Sequence, residues 1–370
     1  MEPRHRCGVA VYPGFSDDRE MDETLAYLRR ARQAGFDEVF GSLHLPELSY
    51  TDCLGRVRGL GEEVKALGME LILDISGGML RRILGDEALA AQLRAIPMDW
   101  LRLDYGVTPE ETCRLAAVLE VPGLMLNASV LTGEELARLV PGLRRAAPGV
   151  RLRGHHNFYP RPETGLSMEF MIGRSRQYLP YDIPVTACVA SLEHPRLPLM
   201  AGLPTVEEHR GVSCQRAARE LLATGVVDDL TLGDPFASDQ ELRWVAGACR
   251  GEPLEVRFVP AGDLGPLERE IVFGGVHQAR PDQAAWSIRS QTSRQMATPG
   301  VLVPAREPQA REWGAVTVDN ENYRRYSGEL HIVTGDLPAD GRVNVAGWVH
   351  PDDHWKVRVI TPGSGFYFTE

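Results

Sequence analysis

The sequence predicts an α/β protein that consists of a (β/α)₈ TIM barrel followed by a small all-β domain. Eight short apolar runs recur along the first two thirds of the chain, and each is followed by a stretch with helical periodicity. Continuous apolar runs are typical of parallel strands buried on both faces. After about residue 250 this rhythm is replaced by short β-rich runs separated by Gly, Pro and Asp, namely LEVRFV, AWSIRS, GAVTVDN, GELHIV, RVNVAGWV and WKVRVI. We therefore predict a barrel domain at 1–245 and an all-β domain at 250–370.

The predicted barrel strands share one feature, a polar or acidic residue at or near the end of each run. In chain order the runs are CGVAVYP (7–13), EVFGSLH (38–44), ELILDIS (70–76), WLRLDYG (100–106), GLMLNAS (123–129), VRLRGHHNFYP (150–160), VTACVAS (185–191) and DLTLGD (229–234). In a TIM barrel the carboxyl ends of the strands build the active site. The polar residues at these ends should therefore meet at one mouth.

The segments between the runs are predicted to be the outer helices. ETLAYLRRARQAGF places apolar residues about one turn apart, as a helix with one buried stripe requires. Thr108 with Glu111, and Thr132 with Glu135, have the spacing of capping boxes, in which a hydroxyl and a carboxylate satisfy free N–H groups at a helix start.

Composition narrows the function classes. The chain has 40 Lys plus Arg against 51 Asp plus Glu, and a net charge of −11 disfavours nucleic acid or an anionic membrane as the partner. Its 6 cysteines form no C-x-x-C pair, which fits a reducing compartment. No apolar run is long enough for a signal-peptide core or a membrane span. We expect a cytoplasmic protein with a small-molecule substrate and, without a nucleotide-binding loop, no cofactor.

Two carboxylates are the strongest catalytic candidates. Asp74 and Asp104 each follow an apolar run, and the two runs are consecutive predicted strands. Glycoside hydrolysis needs such a pair, one protonated to assist the leaving oxygen and one ionised. Glu47 and Asp234 also follow strands, but Glu47 is equally compatible with a solvated loop and Asp234 with an Asx turn.

The end of the sixth run is rich in hydrogen-bonding groups. His155, His156, Asn157 and Tyr159 stand there, and Asn127 ends the fifth run. Because neighbouring strand residues alternate faces, His155 and Asn157 should point away from His156. These groups suit sugar hydroxyls. A metal site that combines His155 or His156 with Asp104 and Glu47 stays open, although no H-x-H or H-E-x-x-H spacing supports it.

Phosphate recognition in TIM barrels commonly lies beside strands seven and eight. Arg210 stands in the GLPTVEEHR segment (202–210), and the IRSQTSR segment (288–294) of the second domain supplies Arg289 and Ser290. An arginine offers the fixed fork of donors that a phosphate needs. An ordinary salt bridge is the alternative for Arg210.

A series of motifs resembles one bacterial family, the 6-phospho-N-acetylmuramidases. The motifs are GVAVYP, LHLPE, LRLDYG, HHNFYPRPETGLS, GLPTVEEHR, VDDLTLGD-x-x-AS and YSGELHIV, which span nearly the whole chain. The resemblance implies a TIM barrel with a cyclophilin-like β domain after it. It implies cytoplasmic hydrolysis of the β-1,4 bond of N-acetylmuramic acid 6-phosphate–N-acetylglucosamine during peptidoglycan recycling.

The resemblance also implies a site. It draws on Asp74, Asp104, Glu47, Asn127, His155, Asn157 and Tyr159, with Arg289 and Ser290 as phosphate candidates. The segment after strand seven, ASLEHPRLPLMAG, departs from the expected composition, so a related disaccharide is an alternative substrate. Two rival functions remain, a metal-dependent sugar-phosphate isomerase or aldolase and a non-catalytic saccharide-binding protein. A homo-oligomer is compatible with all of these functions.

Overall fold

The computed structural model describes residues 5–12, 18–42, 50–104, 106–296 and 300–370. The chain divides into two compact units, Met1–Arg250 and Gly251–Glu370. Each unit has its own sheet.

The first unit is a closed barrel of eight parallel strands, as the sequence predicts. Each strand pairs with the next along the chain, and β1 also pairs with β8, which closes the barrel. The strands are β1 Cys7–Ala10, β2 Glu38–Ser42, β3 Glu70–Ile75, β4 Trp100–Leu103, β5 Gly123–Asn127, β6 Arg151–His155, β7 Val185–Val189 and β8 Asp229–Leu232.

Helices connect the strands in the described part of this unit. They are α1 Asp18–Ala34, α2 Tyr50–Ala66, α3 Gly77–Gly85, α4 Glu87–Arg94, α5 Pro109–Leu119, α6 Gly133–Ala146, α7 Met168–Arg176, α8 Cys214–Ala223 and α9 Asp239–Cys249. The predicted capping boxes form at Thr108 with Glu111 and at Thr132 with Glu135. None of the described helices combines the length and the apolar character that crossing a membrane requires.

The barrel core follows from strict alternation along the strands. Residues such as Leu71, Leu101 and Leu124 point outward and are fully buried against the helices. Alternate residues point into the barrel, where an apolar layer contains Ala10, Phe40, Ile72, Trp100 and Met125. Polar side chains lie at both ends of this layer, because only there can the barrel interior meet water or charged partners.

The amino-terminal end of the barrel is closed by buried ion pairs. Nη1 of Arg153 lies 2.6 Å from Oε1 of Glu38, and Nε of Arg6 lies 3.1 Å from the same oxygen. Nε of Arg153 is 3.6 Å from Oδ2 of Asp229. The Arg153 guanidinium also lies 4.5 Å from the ring centroid of Trp100. This end therefore has a structural role, and the chemistry is left to the opposite end.

The second unit is a seven-stranded sheet with short helices. Its strands are β9 Leu254–Pro260, β10 His277–Gln278, β11 Ser287–Arg289, β12 Ala315–Asp319, β13 Leu330–Val333, β14 Val343–Val349 and β15 Gly365–Thr369. They lie in the order β10-β15-β9-β14-β12-β13-β11, antiparallel except for β15 with β9. The helices are α10 Pro266–Phe273, α11 Ser293–Met296 and α12 His354–Val359.

One predicted strand of this unit is wrong. The run WKVRVI (355–360) forms most of α12 and not a strand. Val357 and Ile360 are both buried and stand three residues apart, which suits a helix as well as Val357 and Val359 suit a strand. In a run this short the two periodicities cannot be told apart. The strand β15, the last of the unit, was not predicted.

We expect replacement of Arg153 by methionine to destabilise the barrel. The change leaves the fully buried Glu38 carboxylate with Arg6 alone, and removing one partner of a buried pair typically costs about 3–5 kcal/mol. Because Arg6 still reaches Glu38, we expect a loss of about 3 kcal/mol in the free energy of unfolding, measured by urea denaturation. Arg58→Met removes an exposed pair with Glu62 and should cost less than about 1 kcal/mol. Equal losses in the two variants would contradict this account.

Candidate active site at the barrel mouth

The carboxyl ends of the strands bring Asp74, Asp104, Asn127 and Asn157 into one hydrogen-bonded group. Asp74 ends the inward-facing series of β3, and Arg102 is its register partner on β4. Asn127 and His155 are register partners on β5 and β6. Inward-pointing residues of neighbouring parallel strands lie side by side at the same height.

The centre of this group is the buried guanidinium of Arg102. Its Nη1 lies 2.5 Å from Oδ1 of Asp74 and 3.5 Å from Oδ1 of Asp104. Its Nη2 donates a hydrogen bond to Oδ1 of Asn157. Burial opposes the charge of the guanidinium, but the attraction of the two carboxylates outweighs burial and raises the pKa of Arg102. One cation thus holds both predicted catalytic carboxylates.

The two carboxylates differ in exposure and in partners. The side chain of Asp104 is 26% exposed and that of Asp74 is 12% exposed. Asp104 accepts a hydrogen bond of 3.3 Å from Nδ2 of Asn127. The Asn127 amide is oriented in turn by Ser129, whose backbone N–H donates to Oδ1 of Asn127 at 3.1 Å. Asp104 is therefore the more open of the two groups, and Asp74 is the more tightly held by Arg102.

The two histidines point to opposite faces, as alternation predicts. The ring of His156 lies outside the barrel between the hydroxyls of Ser129, at 3.1 Å, and Ser175, at 2.9 Å, and burial lowers the pKa of His156 to about 3. His155 is buried inside, with Nδ1 2.7 Å from the carbonyl oxygen of His156 and its ring stacked on Phe40.

The inward-facing histidine keeps one unused acceptor. Because Nδ1 of His155 donates to the His156 carbonyl, Nε2 carries the lone pair, and among the described residues it has no hydrogen-bond partner. Burial, followed by the nearby Arg102, holds the pKa of His155 well below its ordinary value. The free acceptor of a neutral imidazole can accept a hydrogen bond from a hydroxyl.

Asp234 organises the loops around the mouth. It is fully buried, and its oxygens accept three backbone hydrogen bonds, from Ser191 at 2.9 Å, Leu203 at 2.9 Å and Arg196 at 2.7 Å. This arrangement is the loop-ordering alternative considered for it from the sequence. Asp234 therefore positions other residues and presents no free carboxylate oxygen toward a ligand.

Tyr159 and Arg210 stand on the same rim. The backbone N–H of Tyr159 donates to the carbonyl of Pro204 at 3.0 Å, and its own carbonyl accepts from Nη2 of Arg210 at 2.7 Å. Arg210 also pairs with Glu207 at 2.7 Å and donates to the carbonyl of Gly202. The guanidinium of Arg210 is thus occupied in holding two loops together, which is the salt-bridge alternative for this residue.

The remaining predicted site residues lie elsewhere. Glu47 falls outside the described residues. Arg289 and Ser290 belong to the second unit. Ser290 is buried and accepts hydrogen bonds from the backbone N–H groups of Thr292 and Ser293, at the start of α11. Arg289 lies 2.6 Å from Oε1 of the buried Glu329, so a phosphate at Arg289 would have to compete with that carboxylate.

Arg289 is part of a buried charge cluster on β11, β12 and β13. Nε2 of His331 lies 3.8 Å from Oδ2 of Asp319 and 3.8 Å from Oε1 of Glu329. Burial, with the like charge of Glu329, raises the pKa of Asp319 to about 7, and burial lowers the pKa of His331 to about 4. Near neutral pH this cluster therefore changes its protonation.

Arg102 and Arg196 were not predicted as site residues from the sequence. Both stand inside segments that were singled out for other residues, Arg102 two positions before Asp104 and Arg196 in the loop after β7. The signal for Arg102 was a charged residue inside an otherwise apolar run, WLRL, on the same face as Asp104. A charged residue is buried in a strand only when a partner of opposite charge lies beside it.

The fold and the mouth together define a class, the TIM-barrel proteins that place a pair of carboxylates at the carboxyl ends of their strands. Residues 7–246 match the N-terminal domain of the 6-phospho-N-acetylmuramidases, and residues 254–369 match their C-terminal domain. This chain belongs to the 6-phospho-N-acetylmuramidase family, which is a family of glycosidases.

Two solved structures are similar over the whole chain. An uncharacterized protein of B. cereus shares 24% identity with a TM-score of 0.78, and the match covers 100% of both chains. A conserved protein of unknown function from Enterococcus faecalis shares 31% identity with a TM-score of 0.70, over 98% of this chain and 96% of that one. Among curated proteins, none matches this chain.

We expect Asp319 to make a contribution to the free energy of unfolding that falls as the pH rises from about 4 to about 7, opposite in sign to the contribution of the buried histidines. Its pKa in the folded state, about 7, lies above the ordinary value of 3.8, so the folded state keeps a proton that the unfolded state loses. Asp319→Asn removes this dependence. At pH 8 the variant should be more stable than the wild type by roughly 2 to 4 kcal/mol, measured by urea denaturation across the pH range.

The matched control for this experiment is Asp263→Asn, at an exposed position of the same unit. It should leave the pH dependence of the wild type unchanged. A pH profile of Asp319→Asn that runs parallel to that of the wild type would show that Asp319 titrates normally.

Proposed function

We propose that this protein is a glycoside hydrolase that cleaves the β-1,4 bond of N-acetylmuramic acid 6-phosphate–N-acetylglucosamine in peptidoglycan recycling in the cytoplasm. The single observation that carries the proposal is the contact of Asp74 and Asp104 with the same nitrogen of Arg102. The two contacting oxygens therefore lie within about 6 Å of each other, a spacing at which two carboxyl groups can flank one glycosidic bond. The family match supports the phosphorylated amino sugar as the substrate.

The contacts suggest different roles for the two aspartates. Asp104 lies farther from Nη1 of Arg102 than Asp74 does, 3.5 Å against 2.5 Å, so we assign it the proton donor, which transfers its proton to the leaving glycosidic oxygen. Asp74 is paired with Arg102 and faces the positive charge that develops at the anomeric carbon. The C–O bond breaks, the leaving sugar keeps the oxygen and the proton, and water supplies the hydroxyl of the other product. Direct attack by Asp74 and attack by the 2-acetamido oxygen of the substrate are both compatible with these roles.

The neighbouring polar groups would hold the sugar. Nε2 of His155 is an unoccupied acceptor inside the barrel, suited to a hydroxyl. The side-chain amide of Asn127 donates to Asp104, and that of Asn157 accepts from Arg102, so both belong to the same hydrogen-bonded group. Tyr159 lies on the rim. Arg289 and Ser290 remain candidates for the phosphate, and the cyclophilin-like character of the second domain remains part of the proposal.

The metal-dependent alternative has less support from the geometry. His156 lies on the outer face of the barrel between two serine hydroxyls, so it cannot join Asp104 at the mouth. The other set, His155 with Asp104 and Glu47, includes Glu47, which lies outside the described residues. Within the described residues, no three His, Cys, Asp or Glu side chains are grouped as a metal ion would require. The saccharide-binding alternative differs from the proposal only in turnover.

Turnover tests the proposal directly. We expect the protein, with EDTA present, to release N-acetylmuramic acid 6-phosphate and N-acetylglucosamine from the phosphorylated disaccharide, as followed by mass spectrometry. The unphosphorylated disaccharide should be cleaved more slowly. Binding without cleavage would identify a saccharide-binding protein, and activity that EDTA abolishes would favour the metal-dependent class.

Aspartate variants test the roles. Asp74→Asn and Asp104→Asn should each lower kcat on the phosphorylated disaccharide by about 10²- to 10⁴-fold, the usual contribution of acid–base or charge stabilisation. A nitrophenyl glycoside of the same phosphorylated sugar has a leaving group that needs no proton. Asp104→Asn should therefore keep most of its activity on that substrate, and Asp74→Asn should not.

The control for both variants is Asp22→Asn, at an exposed position of α1, which should cleave both substrates like the wild type. Near-normal cleavage of the disaccharide by Asp74→Asn and Asp104→Asn would contradict the assignment. Recovery of nitrophenyl cleavage by Asp74→Asn alone would exchange the two roles.

A further inference from the structure

A second feature of the barrel rim is a cavity of about 540 Å³ beside the ends of β1, β7 and β8. Tyr12, Thr24, His194, Arg196 and Phe236 contribute to its lining. Sites for small ligands typically have volumes of about 300–1,000 Å³ and are mostly apolar, with a few placed polar groups. The cavity has room for one sugar unit.

Arg196 is fixed at this cavity by its backbone. Its N–H donates to Oδ1 of Asp234 at 2.7 Å, and the other oxygen of Asp234 holds Ser191 and Leu203 at the two ends of the same loop. The buried Asp234 thus sets the path of the loop after β7. A residue that lies between such fixed points presents its side chain at a defined place.

The guanidinium of Arg196 is held by aromatic rings instead of carboxylates. It lies 4.2 Å from the ring centroid of Tyr12 and 5.4 Å from that of Phe158. No carboxylate among the described residues lies within ion-pair distance of it. Arg102 and Arg210 on the same end of the barrel are both paired with acidic groups. Stacking on rings orients a guanidinium but leaves its N–H donors unused.

The aromatic wall connects this arginine to the proposed catalytic group. Tyr12 donates from its hydroxyl to the carbonyl of Gly233 at 2.8 Å, which fixes its ring between β1 and β8. Phe158 packs edge-on against both Tyr12 and Phe40, and Phe40 stacks on His155. Arg196 therefore lies on the same mouth as His155, one aromatic layer away.

We propose that Arg196 binds the phosphate of the substrate, with Tyr12 and Phe158 as the platform that holds its guanidinium. This inference rests on the proposed function for the identity of the sugar. A planar guanidinium with free donors matches two phosphate oxygens at once. Arg289 must give up Glu329 to do the same, which makes it the weaker of the two candidates.

Binding measurements test this without turnover. The probes are N-acetylmuramic acid 6-phosphate, N-acetylmuramic acid and N-acetylglucosamine 6-phosphate, titrated into the full chain by calorimetry. The wild type should bind each phosphorylated sugar more tightly than it binds N-acetylmuramic acid. Arg196→Met retains an apolar side chain against the rings and loses the charge, and it should weaken binding of both phosphorylated probes by about 10- to 100-fold, the range of a charged hydrogen bond. Its affinity for N-acetylmuramic acid should stay unchanged.

Matched variants separate charge from structure. Arg243→Met, at an exposed position of α9, should bind all three probes like the wild type. Arg196→Lys keeps the charge without the planar fork and should recover part of the affinity for the phosphorylated probes. A general disturbance of the cavity by Arg196→Met would weaken all three probes equally and would overturn the inference.

The remaining outcomes separate the phosphate site from the proposed reaction. Weaker binding of both muramic acid probes, with unchanged binding of N-acetylglucosamine 6-phosphate, would assign Arg196 to the lactyl carboxylate and overturn the inference. A wild type without preference for phosphate would also overturn it, as would a loss of that preference in Arg289→Met and not in Arg196→Met. A phosphate preference that depends on Arg196, without cleavage of the disaccharide, would keep the anion site and reject the proposed reaction. Cleavage of the phosphorylated disaccharide that Arg196→Met does not impair would keep the reaction and reject the site.

Discussion

The mouth of the barrel depends on one buried ion pair, that of Arg102 with Asp74. A guanidinium inside a barrel is costly to desolvate, and it is retained because Asp74, Asp104 and Asn157 contact its two terminal nitrogens. The same contacts fix the two aspartates relative to each other. The interaction therefore does two things at once, since it satisfies a buried cation and it places two carboxylates within reach of one bond.

The two ends of the barrel use the same chemistry for different purposes. At the amino-terminal end Arg153 is enclosed by Glu38 and Asp229, and Trp100 covers it. At the carboxyl-terminal end the corresponding guanidinium is shared by a partly exposed carboxylate, so the group stays open to a ligand. Between them an apolar layer separates the two sets of charges. The barrel thus keeps a stabilising network away from the groups proposed for catalysis.

Much of the barrel could be predicted because each local signal agreed with the others. Continuous apolar runs gave the strands, capping boxes gave helix starts such as that at Thr108, and alternation gave the inward direction of His155. The second unit was harder, because a short run such as WKVRVI fits a helix and a strand equally well. Arg102 was missed because a charged residue in an apolar run has meaning only when its buried partner is known. Arg196 was missed because its environment is assembled from three separate loops.

A structure of Asp104→Asn with the intact phosphorylated disaccharide would test the central claim most directly, because this variant should bind the substrate without cleaving it. We predict that the glycosidic oxygen lies within hydrogen-bond distance of residue 104 and that the anomeric carbon faces Asp74. A disaccharide bound away from Arg102 would contradict the account. So would a disaccharide with residues 74 and 104 on the same side of the sugar and far from the glycosidic bond.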